Sequence, residues 1–223
     1  MPLTIIYNFS FNKHDMKYLL LSFLILGTFL TNAQSDKYEA AMKNNLALFD
    51  SAKSTAQFLS VANTFERIGD AEKTQWLPYY YAGLALSIPA WADPNIDKDA
   101  NSTRINTLCD KAEALDTNSE IYVLRNMSAT QQMMVDPQTR WQTYGTQASK
   151  DLQIATKLNP DNPRIYYLQG QSLFNTPTAF GGGKDKAKPL FEKAIVLFKA
   201  DKPKPFWPNW GLESTKEQLA KCQ

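Results

Sequence analysis

A block of this sequence returns at an offset of 44 residues, with Ile121, Tyr122, Leu124 and Ser128 recurring as Ile165, Tyr166, Leu168 and Ser172. A weaker copy lies in register upstream, where Tyr79 and Gly83 occupy the places of Tyr122 and Asn126. The second half of the unit repeats as well: Ile105, Cys109, Ala112 and Leu115 return as Ala148, Leu152, Ala155 and Leu158. Self-similarity at such a period means stacked supersecondary units, none of which can bury its apolar face alone. Small and apolar residues spaced four and three apart share one helix face, so the units are helical hairpins and the fold class is all-α. The stripe Ala187, Leu190, Phe191, Ala194, Ile195 and Phe198 keeps the same period, which makes these packing positions.

Boundary signals agree. Asn162 before Pro163 reads as an N-cap with a first-turn proline, Ser54 with Gln57 and Thr117 with Glu120 read as capping boxes, and Gly69 reads as a C-cap. Helices are predicted near 36–50, 54–69, 75–88, 103–116, 118–134, 140–158, 163–175, 185–200 and 210–221. They group into units of about 36–70, 75–116, 118–160 and 162–200, with a cap at 206–223.

The chain resembles tetratricopeptide repeat proteins. The resemblance rests most firmly on Tyr166, Gln169, Gly170, Leu173, Ala187, Phe191 and Ala194, then on Tyr122, Ala129, Ala148, Leu152, Ala155 and Pro160, and on Tyr79, Ala82, Gly83, Leu86 and Ala112. Asn126 stands where that family has Gly and Thr117 where it has Pro, and the period exceeds the usual ~34 residues. The resemblance implies a right-handed superhelix of hairpins with a C-terminal capping helix. It also implies a concave surface lined by the first helix of each unit, which selects Tyr80, Leu84, Val123, Met127, Arg164, Tyr167, Gln171, Phe174 and Asn175. Rigid aromatics with one Arg suit an extended peptide or amphipathic segment. Either that groove is open, or inserted loops cover it and these residues belong to the core.

The N-terminus carries an apolar run, 18–30, behind Met16 and Lys17 and ahead of Thr31, Asn32 and Ala33. This is the pattern of a secretory signal, too short for a permanent span of ~20 apolar residues. Residues 1–15 read as an extension upstream of the true start, 16–33 as the signal peptide and 34–223 as one helical-repeat domain, periplasmic or secreted, with no stable membrane insertion after cleavage. Gln34 after the cut resembles exported proteins of Bacteroidota. The only histidine, His14, lies in the part that is removed, and a formal net charge of +2 gives no basic field for nucleic acid.

Three loops invite sharper readings. Asp93, Asn95, Asp97, Asp99 and Asn101 alternate like calcium ligands, but Lys98 takes the place of the turn glycine and Arg104 that of the bidentate Glu. Residues 176–184 hold Gly181, Gly182, Gly183 and Lys184, yet Thr178 and Asp185 break the phosphate-loop pattern, and the glycines instead predict a tight loop pinning Phe180 into the groove. Trp207 and Trp210, among Pro203, Pro205 and Pro208, read as part of the cap, with a ligand clamp as the alternative. No catalytic, metal or cofactor site is expected. The leading function is an exported non-catalytic scaffold binding a protein or peptide segment. The alternative is a periplasmic small-molecule binder whose loops and Phe180 close a pocket over the groove.

Overall fold

The computed structural model describes residues 36–223. The chain divides into two compact units, Met1–Ala41 and Met42–Gln223. Of the first, only residues 36–41 are described, and they are helical; the expected signal peptide falls outside the described residues. All that follows concerns the second.

Among the described residues the fold is all-α, without a strand. Helix α1 covers 36–51, and α2 (Thr55–Glu72), α3 (Leu77–Ser87), α4 (Lys98–Glu113), α5 (Ser119–Met133), α6 (Pro137–Arg140), α7 (Thr146–Leu158), α8 (Pro163–Asn175), α9 (Lys184–Ala200) and α10 (Leu212–Ala220) follow. Consecutive helices pack in pairs, α3 on α4, α5 on α7 and α8 on α9. Helix α3 is buried at every position from Leu77 to Ser87, as a helix apolar on all sides must be.

Close approach between helices depends on small residues. A Cβ on Gly170 would lie 2.6 Å from the Phe191 ring, and one on Gly69 would lie 2.7 Å from Tyr79. That packing role corrects the reading of Gly69 as a C-cap: α2 runs on to Glu72 and closes at Lys73, whose N–H donates to the Gly69 carbonyl at φ 57°. The Ser54–Gln57 capping box and the Asn162 cap with Pro163 are present. Asn118 instead of Thr117 caps α5, accepting from the N–H groups of Glu120 and Ile121. Helix α4 begins at Lys98, five residues early, because Asp97 caps it.

Asn126, which departs from the usual glycine, spends its side-chain amide on the Ala148 carbonyl at 2.8 Å and so joins α5 to α7. The predicted helix 140–158 is helical throughout, starting at Pro137, but its winding changes on the way. After α6 comes a π-helical turn, Trp141–Gly145, and only then α7.

Candidate functional site

The first helices of the hairpins lie side by side. Asn162 at the start of α8 donates to Ser119 Oγ at 2.9 Å, and Gln131 in the last turn of α5 donates to the Ser87 carbonyl at 2.8 Å, so α3, α5 and α8 run parallel with their C-terminal ends along one edge. This arrangement creates two places of interest.

The first is the face formed by α3, α5 and α8, where the expected groove residues lie. Tyr80, Leu84, Val123 and Arg164 are buried, Met127 and Tyr167 nearly so, Gln171 and Phe174 are partly accessible, and Asn175 is exposed. Part of the cover is the chain's own segment 206–211. Trp207 meets Trp76 edge-on with centroids 5.1 Å apart, and Trp210 meets Tyr167 at 6.4 Å and donates its indole N–H to the Tyr80 hydroxyl at 2.9 Å. Beneath it Arg164 donates to the Pro208 carbonyl at 2.6 Å and to Glu120 at 3.1 Å, with its guanidinium 5.2 Å from the Trp210 ring. Burial pushes the Glu120 carboxyl above its usual range against the pull of Arg164 and Asn162, and drives the Tyr80 phenol well above its own.

The second is the edge where α3, α5 and α8 end. Ile88 and Trp91, Met134 and Val135, and Trp141 are exposed there although large and apolar. Trp141 is 57% exposed and stands on the π-helical turn, a distortion that recurs at functional sites. Arg140 forms an ion pair with Asp99 at 2.7 Å, tying this turn to the start of α4, and it sits 5.7 Å from the Tyr144 ring. Phe180, expected in the groove, is 81% exposed beyond α8. Its loop folds back tightly on the end of α8: Gly183 N–H donates to the Leu173 carbonyl at 2.8 Å, and a Cβ on Gly182 would lie 2.2 Å from the Thr176 carbonyl oxygen. Lys184 and Lys186, both exposed, follow it. Scattered apolar side chains on a surface need no explanation, whereas these five lie close to the ends of α3 and α5.

The calcium-like carboxylates serve other ends. Asp97 caps α4, Asp99 holds Arg140, and Asp93 accepts from Thr55 at 2.6 Å. No cluster of three metal-ligating side chains exists among the described residues. Cys109 and Cys222 are free thiols, and burial pushes Cys109 up to about 12. Among the described residues no helix is long and apolar enough to cross a membrane.

Sequence reasoning missed Trp91, Met134, Val135 and Trp141. They sit at helix ends, where periodicity carries no information about exposure.

One solved structure, the HusA haemophore from Porphyromonas gingivalis, matches this chain with a TM-score of 0.76 and 38% identity, covering 83% of this chain and 92% of that one. No family model matches the chain, and no curated protein does.

Proposed function

The chain belongs to the family of the HusA haemophore, and from that premise we propose that it is a non-catalytic carrier of haem or a related porphyrin, bound on the apolar edge. The observation that carries the reading is the set of large apolar side chains left uncovered there, Trp91, Met134, Val135 and Trp141, around a π-helical turn. A porphyrin is a flat, apolar disc with carboxylates on one rim. Aromatic and thioether side chains suit its faces, and the exposed Lys184 and Lys186 supply charge for its carboxylates. With His14 the only histidine in the chain, the affinity of the described region rests on the macrocycle and not on an imidazole–iron bond. Phe180, Phe174, Gln171 and Asn175 extend the surface at the end of α8, and Met127 and Tyr167 lie deeper on the same helices.

The test is a titration with haem and, separately, with metal-free protoporphyrin, followed by the Soret band and by tryptophan quenching. Saturable binding of both is expected, with Trp141→Ala and Trp91→Ala each weakening it by about tenfold or more, as the loss of a central aromatic anchor does. Failure of both ligands to saturate, or variants that bind as tightly as the parent, would overturn the reading.

The finer identity follows the same line. We propose that 34–223 is one tetratricopeptide-derived domain, exported after removal of 16–33. The scaffold reading retains one supporting observation, the extended segment seated on the α3–α8 face.

A further inference from the structure

The outer face of α9 collects positive charge that the rest of the fold does not balance. The helix turns Ala187, Phe191 and Ala194 inward, where they are fully buried. Lys188, Val196 and Lys199 lie along the opposite side at helical spacing, with Lys193 beside them, and all four are exposed. The chain continues through Lys202 and Lys204, which are exposed as well. Two carboxylates interrupt these five lysines, Glu192 and Asp201, and Asp201 lies 4.0 Å from the buried Arg164 guanidinium, so its charge is shared with that cation. None of the five lysines forms an ion pair among the described residues, whereas Arg104, Lys111, Arg125, Arg140 and Arg164 on earlier helices each do. Residues 34–183 hold more carboxylates than Lys and Arg together, so the positive charge is gathered at this end of the chain. Val196, in the middle of the face, is 66% exposed, more than any residue of the apolar edge.

We propose that this face docks on an anionic lipid surface, its lysines meeting headgroup phosphates around Val196. Protein interfaces are poor in Lys and are anchored by Trp, Tyr and Arg, and the outward side of α9 offers no such anchor. Mobile headgroups need only charges on flexible stems, which five unpaired lysines supply. No helix among the described residues can cross a membrane, so the contact is peripheral and sensitive to salt. None of these residues belongs to the apolar edge, and the inference stands apart from porphyrin binding.

Flotation of the exported chain with vesicles of pure phosphatidylglycerol, and separately of pure phosphatidylcholine, tests this. Binding to the first and not the second is expected, with release on adding salt. Lys188→Gln, Lys193→Gln and Lys199→Gln combined should weaken binding about a hundredfold, at about fivefold per lysine, while helicity stays parental. Val196→Asp, which sets a carboxylate in the middle of the face, should weaken it by about fivefold or more. Removing as many charges at Lys53, Lys150 and Lys157, exposed elsewhere on the fold, should leave it within about twofold of the parent. Equal binding to both lipids, or equal losses from the two triple variants, would overturn the proposal. So would undiminished binding by either α9 variant, or no binding to phosphatidylglycerol, which would leave an acidic polypeptide as the partner of this face.

Discussion

Trp210 and Tyr80 are joined by a 2.9 Å hydrogen bond across 130 residues of sequence, and the phenol that accepts it is completely buried. The bond solves a problem set by the fold. Helix α3 is buried all round, so the Tyr80 hydroxyl needs a partner from inside the protein, and the segment 206–211 brings one.

Removing the indole therefore removes both packing and a partner. Trp210→Ala is expected to destabilise the chain by ~3–5 kcal/mol, whereas Trp210→Phe, which keeps most of the ring contact, should cost only ~1–2 kcal/mol. Urea unfolding followed by circular dichroism separates the two. Equal losses would show that the hydrogen bond contributes nothing.

The Arg164–Glu120 pair is almost fully removed from solvent, and no hydrogen-bond partner meets Glu120 Oε2 or Arg164 Nε. Breaking a buried pair from one side leaves an uncompensated charge. Glu120→Gln should cost ~3–5 kcal/mol, and the double replacement Glu120→Leu with Arg164→Met should recover most of it. The midpoint of urea unfolding for the parent and the two variants checks this; a double variant as unstable as the single would mean that Arg164 matters chiefly through Pro208.

Asp151 is buried in α7 with Gln147 donating to it at 3.0 Å, and burial pushes its carboxyl up to about 6 from an ordinary 3.8. The folded state then holds the proton more tightly than the unfolded one. Its contribution is present below about pH 3.8 and is lost as pH rises through about 6. Asp151→Asn should flatten the stability profile across that interval and raise stability at pH 7. An unchanged slope of unfolding free energy against pH would refute this.

Thiol chemistry gives a simpler check. Cys109 is buried with its thiol held neutral, while Cys222 is partly accessible. A thiol reagent at pH 8 should label one cysteine in the native chain and both after denaturation. Rapid double labelling of the native chain would show that α4 opens readily.

The helices were legible because their signals are local. Ser54 with Gln57, and Asn162 with Pro163, mark their starts through groups only a few residues away. The repeated tyrosines were legible as positions but not in their chemistry: Tyr79 donates to Asp70 and Tyr122 to Glu113, each nine residues back in the preceding helix. Thr117 was misread because Asn118, one position on, reaches the same N–H groups. The edge and the covered face were not legible, since both depend on which distant segment lies over a surface. Trp207 and Trp210 look like a cap in sequence; only the fold shows that they reach α3.

A row of hairpins that touch only their neighbours can unravel from either end, one unit at a time. The bond from Trp210 to Tyr80 breaks that rule, because it attaches the last part of the chain to the α3–α4 hairpin over the top of α8. The segment that carries Trp210 cannot detach without also uncovering Tyr80 of the most deeply buried helix. Heat should therefore melt the chain from α3 to α10 in a single step, with matching calorimetric and van't Hoff enthalpies, unlike the staggered melting of an open array.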